Sequence, residues 1–267
     1  MTKTNIKDLS IQVHLNGLSF CILNHSTQTV EHLKSISFSN KLLPSELLNN
    51  LKEELSTDTV YSDEFNAVLI IHQNELATIV PKDLYNTSNN ADYLKFNSKI
   101  LKTDFITNDV LENLPAVNVY VPYVNINNYI FETFGEFVFK HASTVFIDHI
   151  INSTSNSDET EMHVNVNKDA MEVLVVKTKS LLFYNRFEFF TPEDFIYYIL
   201  FTIEQLNLDT ETLKLKFSGV INKDDEKYKL TYKYIRHIDF NIIEKYTFSN
   251  SISKEEKGAH YILLNSF

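Results

Sequence analysis

Ile11-Gln12-Val13-His14-Leu15-Asn16-Gly17-Leu18 and Met162-His163-Val164-Asn165-Val166-Asn167-Lys168-Asp169 are two writings of one pattern. In the first, Ile11, Val13 and Leu15 alternate with polar neighbours; in the second, Met162, Val164 and Val166 do. A period of two is the mark of a half-buried strand. Laid over each other without a gap, residues 11–38 and 162–189 each continue through a polar turn, an apolar run (18–23; 171–176), another turn and a third strand closing at Phe38 or Phe189. A helix start follows in both. In the first copy it is Pro44-Ser45-Glu46; in the second it is Thr191-Pro192-Glu193-Asp194, with Thr191 the expected N-cap and Pro192 in the first turn. Three strands and a helix, written twice, predict a duplicated α/β fold of two lobes. The stretch 152–160 carries no apolar side chain and sets the expected boundary, giving lobes at 1–155 and 156–267.

Between these landmarks, 66–71 and 75–80 read as a strand pair turned at His72-Gln73-Asn74, 85–90 as loop and 91–102 as a short helix. Residues 117–124 form the next strand, which Pro122 ends or confines to an edge, since proline lacks a ladder donor. A helix over 127–134 stops at Gly135, a short strand spans 137–139 and a helix 144–151. In the second lobe a helix from Pro192 to about Leu206 turns Phe195, Ile196, Ile199, Leu200, Ile203 and Leu206 inward. A strand (213–220), a helix (224–234) and a strand (238–243) follow, and the apolar Tyr261-Ile262-Leu263-Leu264 docks rather than trails.

A chain of 267 residues with 43% hydrophobic content has enough apolar material for two cores. No apolar run approaches the roughly 20 residues of a membrane span, and no apolar segment follows Met1–Asn5, so a cytoplasmic location is expected. The net charge of −11, with Arg186 and Arg236 the only arginines, argues against nucleic acid and anionic lipid as partners. The single cysteine, Cys21, lies in an apolar strand and reads as a packed thiol. Lys214, Lys216, Lys223, Lys227, Lys229, Lys233 and Arg236 outnumber the acids around them and mark a basic segment.

The strand and helix order in each lobe resembles the actin-like ATPase fold (ribonuclease H-like) of actin, sugar kinases and heat-shock 70 chaperones, with a mixed five-stranded sheet and flanking helices per lobe. It is also similar to the actin-like proteins of bacterial pilus assembly and type II secretion. Through Thr191-Pro192-Glu193-Asp194-Phe195-Ile196-Tyr197-Tyr198-Ile199-Leu200, Lys140-His141-Ala142-Ser143-Thr144 and Phe217-Ser218-Gly219, nearly the whole chain resembles a bacterial family known only as domain of unknown function 3822. In the ATPases, two glycine-containing hairpin turns cradle the phosphates, because a side chain there would keep backbone N–H groups away. The resemblance puts an Asp-x-Gly at the end of strand one, its aspartate organising the Mg²⁺ water shell. Here stand His14, Leu15 and Asn16, with Gly17 displaced. For the second turn, Asp-x-Gly-Gly-Gly, the chain has Asn165-Val166-Asn167-Lys168-Asp169, and for the adenosine glycine pair it has Ser218-Gly219.

These substitutions lead us to expect no bound cofactor and no ATP hydrolysis, with His14, Asn16, Gly17, Asn165, Asn167, Lys168, Asp169, Ser218 and Gly219 as positions of a degenerate cleft. Four glycines in the whole chain leave no phosphate loop elsewhere. Nine histidines include no metal-binding helix motif; His141 and His149 flank Asp148 and are read as satisfied polar residues. Ser143 and Ser218 lack a nucleophile turn, and Asp158, Glu159 and Glu161 read as a solvated run. The expected function is that of a non-catalytic actin-like adaptor for an unknown protein partner, with self-association left open. Its expected contact surfaces are the basic segment and a strand edge around 117–122. The alternative is an enzyme, or a nucleotide or small-ligand sensor, that reuses the cleft between the lobes.

Overall fold

The computed structural model describes residues 6–249 and 252–267; the reading of Met1–Asn5 lies outside them. The first alternating run is β1 (Lys7–His14), followed by β2 (Gly17–Asn24), β3 (Thr29–Ser37) and α1 (Pro44–Thr57). Then come β4 (Ala67–His72), β5 (Ala77–Pro81), α2 (Asn90–Lys95), β6 (Thr107–Val110), β7 (Ala116–Tyr120), α3 (Val124–Phe134), β8 (Val138–His141) and α4 (Ala142–Ser153). The second copy runs β9 (Thr160–Val166), β10 (Ala170–Lys177), β11 (Ser180–Glu188), α5 (Pro192–Gln205), β12 (Lys214–Gly219), α6 (Glu226–Thr231) and β13 (His237–Phe240). The chain closes with β14 (Thr247–Phe248), α7 (Lys254–Ala259) and α8 (Tyr261–Leu264). Contacts divide it into two compact units, 1–146 with 244–252 and 262–267, and 147–243 with 253–261, so the last stretch is shared between them.

The duplication is explicit in strand order. The second unit's sheet runs β11-β10-β9-β12-β13, and the first unit's runs β3-β2-β1-β4-β8 in the corresponding places, with β14 added parallel to β3 as a sixth strand. In both sheets the opening strand is antiparallel to its hairpin partner and parallel to the strand after the helix. The ungapped overlay conceals a compensation between turns. Leu15 and Asn16 alone separate the last pair His14–Gly17, whereas 167–170 separate Val166 from Met171. The next turn reverses this, with 25–28 between Asn24 and Thr29 but only Thr178 and Lys179 between Lys177 and Ser180.

Inward residues of the alternating strands build each core. In the first unit Leu9, Ile11 and Val13 pack with Leu18, Phe20 and Ile22, under Leu47 and Leu51 of α1 and Ile126 and Ile130 of α3. In the second, Met162, Val164, Met171, Val173, Leu215 and Phe217 meet Phe195, Ile199 and Ile203 of α5. Cys21 is buried in β2, where loss of solvent pushes its thiol pKa up and keeps it protonated. Among the described residues no helix is long and apolar enough to cross a membrane.

Three local expectations are corrected. β4 and β5 do not form a hairpin: β4 lies between β1 and β8 in the large sheet, while β5 pairs with β7 in a separate three-stranded sheet ordered β5-β7-β6. The strand expected to present an edge at 117–122 is that small sheet's central strand, paired on both sides, and it ends at Tyr120 before Pro122. The helix expected over 91–102 is a single short one, α2.

Candidate functional site

At the first turn the backbone is closed on its own chain. The Leu15 and Asn16 carbonyls accept from the Leu42 and Phe38 amides at 2.9 and 2.8 Å. The Asn16 amide donates to Nδ1 of His14 at 3.3 Å, so the His14 side chain caps a backbone N–H of its own turn. Gly17 has a packing reason: a Cβ would stand 2.6 Å from the Ile36 carbonyl oxygen of β3.

The second unit repeats this with different atoms. The Asn167 amide donates to the Ala170 carbonyl at 2.8 Å, and the Asp169 carbonyl accepts from the Phe189 amide at 3.1 Å. Lys168 is exposed at the tip, and Asp169 is half-buried. Asn165 and Ser218 are register partners on β9 and β12, and the Ser218 hydroxyl donates to Asn165 Oδ1 at 3.2 Å. Asn165 in turn donates to Glu172 Oε2 at 3.0 Å, while Tyr184 donates its hydroxyl to the other carboxyl oxygen at 2.9 Å. All but Tyr184 are buried, and burial raises the Glu172 pKa against those two hydrogen bonds. Gly219 sits at φ +84° with its would-be Cβ 2.1 Å from the Val166 carbonyl oxygen, which accepts from the Val220 amide at 2.7 Å. Gly17 and Gly219 therefore both serve strand-to-strand contact.

One register step away, Glu161 Oε2 accepts from His163 Nε2 at 3.1 Å and from Lys216 Nζ at 2.8 Å. The His163 hydrogen bond, then Lys216, holds the Glu161 carboxyl down at about 2, while burial lowers the His163 pKa and keeps the ring neutral. Glu161 is thus a buried ion-pair partner rather than part of a solvated run.

The first unit holds a polar network that sequence spacing does not reveal. The Asp109 carboxylate accepts from the His141 amide (2.8 Å), the Thr144 hydroxyl (2.7 Å) and the Tyr120 hydroxyl (2.9 Å). Asn118 donates to the hydroxyls of Ser143 and Thr144 at 2.8 and 2.9 Å, and Ser143 Oγ lies 2.6 Å from His141 Nδ1. A serine beside an imidazole suggests a nucleophile and base, but both are buried and Asp109 takes the backbone amide instead of orienting the ring. The network ties β6 and β7 to the β8–α4 junction. Only Ser143 and His141 were visible as candidates from sequence. His149 packs edge-on to Tyr261 at 5.4 Å, and among the described residues no three His, Cys, Asp or Glu side chains gather in a metal-binding group.

The expected basic surface is largely neutralised. Lys214 pairs with Glu159, Lys216 with Glu161, Lys227 with Asp225 at 3.0 Å and Arg236 with Glu211 at 3.1 Å, while Lys229 donates to the Asp224 carbonyl. A concave feature of the first unit lies elsewhere, in a groove of about 450 Å³ where the β1–β2 turn and the starts of α1 and α3 meet the small sheet. Leu15, Leu76, Phe105, Val121, Pro122 and Val124 supply its apolar lining, and Glu75 and Asp104 its charges.

Three solved structures share the architecture. A *Bacteroides thetaiotaomicron* VPI-5482 protein with actin-like ATPase fold and unknown function is 22% identical, with a TM-score of 0.76 over 100% of this chain and 98% of that one. The PilM–PilN type IV pilus biogenesis complex is 10% identical, with a TM-score of 0.59 and coverage of 97% and 96%. Ethanolamine utilization protein EutJ from *Carboxydothermus hydrogenoformans* is 7% identical, with a TM-score of 0.50 and coverage of 97% and 88%. None of the curated proteins matches. Residues 1–238 match the model of the family described as protein of unknown function DUF3822; the chain belongs to that family and has the actin-like ATPase fold.

Proposed function

We propose that the chain is a non-catalytic, protein-binding member of the actin-like fold that works in the bacterial cytoplasm without a nucleotide. The observation that carries this reading is the closure of both phosphate turns by the chain's own groups. His14 caps the Asn16 amide, and the positions of the second turn and adenosine motif bond inward through Asn165, Ser218 and Glu172. A site whose donors are already satisfied gains little from a phosphate, because each new hydrogen bond must displace an existing one. The absence of an aspartate at positions 14 and 165 removes the carboxylates that would order a magnesium shell. The PilM fold, found in a complex with PilN, supports the idea that this architecture can serve protein binding.

The test is purification of the tagged full-length chain from its own host, with mass and stoichiometry of the eluted species. The reading expects one protein at fixed stoichiometry, or a defined oligomer of the chain itself. A chain that elutes alone and monomeric contradicts it.

A further inference from the structure

We infer, resting on the protein-binding reading, that the groove of the first unit takes an extended segment of a partner protein in which lysine or arginine side chains flank apolar ones. Phe105, 56% exposed, and Val124, 39% exposed, present apolar surface at a concave place rather than as scattered side chains. The lining includes two acidic residues, Glu75 and Asp104, and no lysine, arginine or histidine. Asp104 is fixed by accepting the Leu101 amide at 2.7 Å, so its charge stays at the wall. Together with the net charge of −11, this favours a cationic occupant and opposes phosphate or carboxylate ligands.

The shape of the occupant follows from the helix starts. α3 begins at the groove with no side-chain cap, and the Asn125 side-chain NH2 beside it donates to the Pro44 carbonyl at 2.7 Å. First-turn N–H groups left without a side-chain acceptor suit main-chain carbonyls, which an extended segment supplies at regular intervals. Apolar side chains of that segment would lie on Leu76, Phe105 and Val121, with basic side chains reaching Glu75 and Asp104.

The experiment is selection of random 12-residue peptides displayed on phage against the immobilised full-length chain, followed by fluorescence anisotropy of the winners. Enrichment of Lys or Arg beside Leu, Ile, Val or Phe is expected. Glu75→Lys should weaken those peptides by about tenfold or more, and peptides carrying Glu in place of Lys should recover binding to that variant. Phe105→Ala should weaken both sets. Both positions are exposed, so the variants should keep the wild-type melting temperature. Acidic winners, winners indifferent to both variants, or no winners at all would overturn the groove assignment. The protein-binding reading fails separately, through elution of the chain alone and monomeric.

Discussion

At Gly219 a Cβ would stand 2.1 Å from the Val166 carbonyl oxygen with φ at +84°, whereas at Gly135 φ is +78° but nothing lies within 4 Å. The two glycines separate backbone strain from steric contact. Gly135, at φ +78° and ψ −130°, holds a backbone conformation open essentially to glycine alone, so Gly135→Ala should cost about 1–3 kcal/mol from strain alone. Gly219→Ala adds a clash against backbone and should cost at least about 3 kcal/mol, read as a lower urea midpoint. His72 is a second residue whose environment sets a measurable property. Nε2 donates to Asn127 Oδ1 at 2.8 Å and Nδ1 accepts the Tyr123 amide at 3.2 Å, while burial lowers its pKa to about 4. The folded state therefore favours the neutral ring. Its contribution is present above the unfolded histidine value of about 6.5 and is lost as pH falls towards 4, on the order of 3 kcal/mol in all. His72→Asn should make the stability profile shallower over that window by this one histidine's share, since burial lowers His163 and His260 as well, while leaving the Glu161 contribution, lost between about 4.3 and 2, in place.

Among the elements, α5 was the most legible, because its start is written in adjacent residues. Thr191 Oγ1 accepts the Asp194 amide and the Asp194 carboxylate accepts the Thr191 amide, both at 3.1 Å. Thr191→Ala should cost about 1 kcal/mol by chemical denaturation. Strand existence was similarly readable from alternation, but strand partners were not. β4 and β5 are neighbours in sequence, and neighbouring strands usually pair; here the four residues 73–76 carry the second into another sheet. β14 escaped notice because two residues have no period. The Asp109 network escaped because β6, β7 and the β8–α4 junction bring together residues whose spacing has no motif. Asp109→Ala would orphan the buried His141 amide and the Tyr120 hydroxyl, so amide exchange in β6 and β7 should accelerate ahead of the large sheet.

For the whole molecule, the duplication was readable in the sequence and reappears as matching strand order. The bonds made at the two turns were not, since only coordinates pair Asn165 with Ser218 or His14 with the Asn16 amide. The C-terminal stretch completes both units: Leu263 and Leu264 are buried, and Ser266 Oγ meets Ser10 Oγ at 2.8 Å. Truncation before Tyr261 removes several buried apolar side chains worth roughly 1.5–3 kcal/mol each and should leave a chain that no longer melts cooperatively. The central claim, an actin-like fold whose phosphate turns are satisfied from within, is tested most directly by a thermal melt of the full-length chain with and without millimolar Mg-ATP, ADP and GTP. A ligand at about 100 times its Kd would add roughly 2.7 kcal/mol, or about 2–4 °C for a chain of this size. The account predicts no shift with any nucleotide; a reproducible rise of that size with Mg-ATP would contradict it.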